Sequence, residues 1–187
     1  HNNKAAILAQ LGKIDEATRI WKMLTQSAPA LGRPYYNLGN VAMQRGDLET
    51  AGKYFKHAIS RESDYTPAYV NLAICFQEQG KADQAIEYYD KALEISPDDA
   101  QIIYNKAFMI YEIGDKSDAM ELFLQALSLN PRHLSALNYL GLCYQEMQQD
   151  DEALKYFNAA ISIDPNYAFA QKNKQERDDK FRKRRSP

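Results

Sequence analysis

Residues 66–99 read TPAYVNLAICFQEQGKADQAIEYYDKALEISPDD. Ile86, Tyr89 and Leu93 fall on one face of a helix, and Pro97 stops it. Gly80 ends an earlier helical run and supplies the turn between the two. The same punctuation recurs along the chain. Pro97, Pro131 and Pro165 are 34 residues apart, as are Gly12, Gly46, Gly80 and Gly114. So are Ala17, Ala51, Ala85, Ala119 and Ala153. A period of this size marks a repeat array, and strands of period two do not produce it.

Cutting each unit two residues after its proline gives an incomplete unit 1–31 and full units 32–65, 66–99, 100–133 and 134–167. Position 8 is small throughout: Ala5, Gly39, Ala73, Ala107 and Gly141. Position 24 is aromatic throughout: Trp21, Phe55, Tyr89, Phe123 and Phe157. Position 27 reads Leu24, Ala58, Ala92, Ala126 and Ala160, and position 32 reads Pro29, Ser63, Pro97, Pro131 and Pro165. Small residues at positions 8 and 20 let the two helices of a hairpin approach closely. The aromatic fills the space toward the neighbouring unit. Asp15, Glu49, Asp83 and Asp151 open second helices, where the helix dipole favours negative charge.

This pattern resembles the tetratricopeptide repeat family over residues 1–167. Ser63, Gln148 and Leu24 are local departures from its columns. The resemblance implies an all-α, right-handed superhelical solenoid of antiparallel helix pairs, continuous and without a linker. First helices would line a concave groove, and second helices would face outward. Residues 168–187 leave the columns. They are expected to form a capping helix from Ala168 to about Arg182, with Tyr167, Ala170 and Phe181 on one face, followed by a basic tail. This segment carries a net +5, which leaves −7 on residues 1–167. The Arg182-Lys183-Arg184-Arg185 cluster is read as a solvated chain end rather than an address. The first unit begins inside its first helix, so further repeats are expected before His1 in the natural protein.

Function is expected on the groove. In the family it is lined by positions 2, 5, 6, 9, 12 and 13. Position 6 reads Asn3, Asn37, Asn71 and Asn105, then Tyr139 with Asn138 beside it. The column resembles the asparagine ladder of the protein O-GlcNAc transferases, in which such residues hold the backbone of an extended peptide. A carboxamide offers both a donor and an acceptor, as a main-chain ligand needs. Tyr36, Tyr104, Phe108, Tyr111 and Tyr139 add aromatic area at lining positions. The expected peptide-binding residues are Asn37, Asn71, Asn105, Tyr36, Tyr104, Phe108, Asn138 and Tyr139. The alternative for the asparagines is capping or hydrogen bonding within their own hairpin. Position 5 carries no lysine and position 2 only Arg33, which argues against the clamp that some family members close on acidic carboxy-terminal peptides.

Chemistry is sparse elsewhere. His1, His57 and His133 are scattered without metal-ligand spacing and are read as surface histidines. Cys75 and Cys143 are read as buried free thiols. No phosphate loop, nucleophile motif or catalytic carboxylate pair stands out, so no enzyme, cofactor or metal is expected. The net charge of −2 gives no pull toward nucleic acid, and the −7 on residues 1–167 argues against specific nucleic-acid binding. No apolar run approaches the ~20 residues of a membrane span. The reading is a non-catalytic module that binds a segment of a partner protein in its groove, with cytoplasmic placement as the default. The alternatives are a scaffold that self-assembles through its open repeat edge, giving a homo-oligomer, and the substrate-selecting part of a larger protein.

Overall fold

The computed structural model describes residues 1–185, with side chains through Arg177. Among these the chain is all-helical, and its contacts divide it into two compact units, His1–Pro97 and Asp98–Pro187. The amino-terminal unit holds α1 (Asn2–Gln10), α2 (Ile14–Ser27), α3 (Gly32–Gln44), α4 (Leu48–Arg61), α5 (Thr66–Glu78) and α6 (Ala82–Ile95). The carboxy-terminal unit holds α7 (Ala100–Ile113), α8 (Lys116–Leu129), α9 (Leu134–Glu146), α10 (Asp150–Ile163) and α11 (Ala168–Arg185). Consecutive helices pair as hairpins, and each hairpin stacks on the next within its unit in the manner of a solenoid. The first helices touch as well, α3 lying against both α1 and α5.

The columns explain the packing. Ala17, Ala51, Ala85, Ala119 and Ala153 are fully buried, and so are Phe55, Tyr89, Phe123 and Phe157. Each buried ring contributes on the order of 1.5–3 kcal/mol from apolar area removed from water. At Gly39 an added Cβ would lie 2.5 Å from Phe55 Cε1, and at Gly141 it would lie 2.5 Å from Phe157 Cε1. Position 8 is therefore small because the aromatic at position 24 of the same hairpin lies directly on the helix backbone.

The turn glycines have a different cause. An added Cβ at Gly46 would meet nothing within 4 Å, but the residue holds φ at +77°. That left-handed residue lets the chain close a Schellman-type turn, in which Asp47 N–H donates to Ala42 C=O at 3.0 Å. The turn is repeated by Lys13 on Leu8, Lys81 on Phe76, Asp115 on Ile110 and Gln149 on Tyr144. In the last of these Gln148 adopts φ +60° without being glycine. The departure seen in the sequence thus leaves the turn unchanged and places backbone strain on one residue.

Helix α11 packs on α10 and α9 and closes the carboxy-terminal unit. Ala170 is fully buried with Leu137 and Ala160, and Tyr167 packs against them. Arg177 is 8% exposed. Its guanidinium donates to the Asp150 carbonyl at 3.3 Å and lies 3.7 Å from the Asp151 carboxylate. The helix runs to Arg185 rather than stopping near Arg182, because no glycine or proline interrupts the segment before Pro187. The Phe181 contact and the basic cluster expected from the sequence lie outside the described side chains. No helix of the described residues is long and apolar enough to cross a membrane.

Candidate functional site

The asparagine column links neighbouring first helices. In the amino-terminal unit, Asn37 Nδ2 donates to Asn2 Oδ1 at 3.1 Å. The same oxygen accepts from the Trp21 indole Nε1 at 3.1 Å. One repeat on, Asn71 Nδ2 donates to the Tyr36 hydroxyl at 3.3 Å and to Asn40 Oδ1 at 2.7 Å. In both steps the position-6 amide reaches the position-5 side chain of the preceding first helix. Asn37 and Asn71 remain partly exposed, and so does Tyr36. The Tyr36 ring lies edge-on to Tyr65 at 5.1 Å.

The carboxy-terminal unit follows the same rule at one place and breaks it at another. Asn173 on α11 donates through Nδ2 to Asn138 Oδ1 at 2.9 Å, again from position 6 to position 5. Asn138 is 3% exposed, which takes it off the accessible surface on which the sequence reading placed it. Asn105 instead accepts from Gln101 Nε2 on its own helix at 2.9 Å. Its Nδ2 makes no hydrogen bond among the described residues, and the side chain is partly exposed.

Tyr139, where the column expects asparagine, is the hub of an aromatic cluster. Its ring is 5.1 Å from Phe108, 5.3 Å from Tyr111, 5.7 Å from Phe123 and 6.2 Å from Tyr104. Phe123 and Tyr111 are buried, whereas Tyr104, Phe108 and Tyr139 keep part of their surface in solvent. Burial pushes the Tyr104 hydroxyl up to about 12, so these rings are neutral at physiological pH. Beside them Glu146 accepts the Tyr111 hydroxyl proton at 2.6 Å. Lys116 lies 3.3 Å over the Tyr111 ring and 3.7 Å from the Glu146 carboxylate. The charges at this edge therefore compensate one another.

His133 is not the plain surface histidine that the sequence suggested. It caps α9, its Nδ1 accepting from the Ala136 N–H at 3.2 Å, with its ring 4.5 Å from Tyr104. Burial holds its pKa below the ordinary imidazole value, and the imidazole is the neutral acceptor. Cys75 and Cys143 are buried free thiols, each pushed up to about 11 by burial. No group of three or more His, Cys, Asp and Glu side chains that could hold a metal ion occurs among the described residues.

Three residues of the network escaped the sequence reading: Asn2, Asn40 and Asn173. The signal for Asn173 was present, because it lies 34 residues after Tyr139 and 68 after Asn105. The apolar columns end at Tyr167, and composition hid the position beyond them.

The tetratricopeptide repeat profile matches residues 30–97 and 64–132, and a second tetratricopeptide repeat profile matches residues 135–167. Among solved structures the chain is similar to YrrB, described as a TPR protein with an unusual peptide-binding site. The two are 20% identical with a TM-score of 0.79, over 92% of this chain and 89% of that one. It is similar also to MamA, at 22% identity and a TM-score of 0.80, over 88% of this chain and 96% of that one. A MamA RS-1 double mutant aligns at 16% identity and a TM-score of 0.79, over 87% and 92% of the two chains. At these identities the likeness is one of fold. No curated protein matches the chain significantly.

Proposed function

This chain belongs to the tetratricopeptide repeat family, and on that premise we propose that it is a non-catalytic interaction module that holds a segment of a partner protein on the first-helix faces of its two units. The observation that carries the reading is Asn105. Its oxygen is fixed by Gln101, its amide nitrogen is uncommitted, and the half-exposed rings of Tyr104 and Phe108 flank it on α7. A positioned donor beside apolar rings suits a ligand that presents a main-chain carbonyl and an apolar side chain. In the amino-terminal unit Asn37 and Asn71 lie on the same face as Tyr36, but their amide nitrogens donate between helices, so what they add for a ligand is acceptor capacity. To that extent the asparagine column keeps its likeness to the ladder of the O-GlcNAc transferases. That YrrB carries a peptide-binding site supports the reading by analogy of fold.

The test is a quantitative pull-down from lysate of the source organism. It compares the wild type with Asn105→Ala/Phe108→Ala, matched by circular dichroism. Proteins retained by the wild type and lost from the variant are the expected result. Identical captured sets would reject this face as the working surface.

A second reading, self-assembly, has its own observation. Position 10 is apolar in all units and buried as Val41, Cys75, Met109 and Cys143, yet Ile7 is 57% exposed and Leu11 beside it 70%. This stripe on α1 would dock on a second copy of the chain. Light scattering that shows a monomer at all concentrations would sink it.

A further inference from the structure

The amino-terminal unit contains a cavity of about 320 Å³ along α1 and α3. That lies at the lower end of the range in which proteins hold small ligands, roughly 300–1,000 Å³. Two repeat positions create it. Where α3 carries Asn40 and Met43, α1 carries Ala6 and Ala9 at the equivalent positions 9 and 12. Between α3 and α5, Asn40 meets Asn71 at 2.7 Å and bridges the two helices. Ala6 has no side chain with which to meet Asn37 in the same way, and both alanines line the open space.

The lining is largely apolar and neutral throughout. Ile14, Trp21 and Val41 join the two alanines, and the polar part consists of four carboxamides, Gln10, Asn37, Asn40 and Gln44. None of these nine residues is ionisable. Arg45 and Asp15, at the adjoining helix ends, pair with each other at 3.1 Å.

Internal hydrogen bonds decide what the amides still offer. Asn37 gives one Nδ2 hydrogen to Asn2, and its Oδ1 accepts no hydrogen bond among the described residues. Asn40 has committed its Oδ1 to Asn71 and keeps its donor nitrogen. One acceptor and one donor, three residues apart on α3, match the N–H and C=O of a peptide main chain. A charged side chain would enter without a counter-charge and is disfavoured. We infer that this cavity anchors one uncharged apolar side chain of an extended peptide, with Asn37 and Asn40 holding the adjoining main chain. The inference rests on the reading that the first-helix faces bind peptides, and it names the chemistry of the segment that one of them takes.

The test uses the full chain and a displayed library of random peptides. Selected sequences are then synthesised and titrated by fluorescence polarisation. Ala6→Leu and Ala9→Leu fill the cavity from partly exposed positions, while Lys4→Leu adds the same side chain to an exposed position of α1 outside the lining. The expected result is one position in the selected peptides restricted to aliphatic or aromatic residues. Replacing that residue by aspartate, or filling the cavity, weakens binding roughly tenfold or more, and Lys4→Leu does not. Unchanged affinity in both filled variants, or a requirement for charge at the sensitive position, overturns the inference. Peptides that respond only to Asn105→Ala/Phe108→Ala overturn the anchor and leave the broader function standing. A library that yields no binder overturns both.

Discussion

Asn173 Nδ2 lies 2.9 Å from Asn138 Oδ1, 35 residues away in the chain. The same step, position 6 to position 5 of the preceding first helix, joins Asn37 to Asn2 and Asn71 to Tyr36. The capping helix α11 is thus tied down by the device that joins the repeats, although its apolar pattern has ended. Because Asn138 is buried, Asn173→Ala leaves an unpaired acceptor in the core. The expected loss is about 1–3 kcal/mol. Urea denaturation checks it, and Asn138→Leu/Asn173→Leu should recover most of the loss, since an apolar pair leaves no orphan.

Gly39→Ala forces a methyl group onto the Phe55 ring and should cost about 1–3 kcal/mol. Phe55→Leu in the same chain relieves the clash, so the double variant should lose less than the two single losses combined. Gly46→Ala costs a comparable amount for an unrelated reason, backbone strain at φ +77° in open space. Phe55→Leu should give it no relief. Thermal unfolding of the set separates the two causes.

Gln148→Gly should stabilise the protein by about 1 kcal/mol. It removes the left-handed strain that the residue bears at φ +60° while keeping the turn. A fall in the unfolding midpoint would mean that the Gln148 side chain makes a stabilising contact.

Stability should fall with acidification through His133. Its folded pKa is lowered by burial, so the folded state favours the neutral ring that accepts from Ala136. Such a group contributes fully above its unfolded value of about 6.5, and the contribution is lost as pH falls from there through the folded value. His133→Asn keeps a cap acceptor without titrating. Measured from pH 7 to pH 5, the wild type should lose stability relative to that variant, and above pH 7 the difference should be constant.

The hairpins were legible because their requirements are steric. Only a small residue fits under Phe55 or Phe157, and only a left-handed residue turns the chain at positions 46 or 80, so both columns show in the sequence. The direction of an amide is not steric. A period of 34 places Asn37 and Asn71 on one face but leaves open whether each donates to a neighbour or to a ligand. That depends on what position 5 of the preceding helix offers: a carboxamide at Asn2, a hydroxyl at Tyr36. Asn138 fell on the wrong side of the same question. His133 was read as a surface residue, because its role as a cap depends on an imidazole tautomer that no spacing encodes.

The shared acceptor at Asn2 has an optical consequence. Trp21 is the sole tryptophan, and its indole is 3% exposed and bonded to Asn2 in the first hairpin. Indole emission therefore senses α1, α2 and the face of α3 that packs on them, whereas far-ultraviolet ellipticity averages over every helix. In a stack stabilised between neighbours, the two signals need not move together. An emission shift that precedes the loss of ellipticity identifies the amino-terminal end of the stack, α1 to α3, as the first to fray. Coincident transitions identify a chain that melts as one cooperative body. The protein thus carries its own reporter of the order in which its helices come apart.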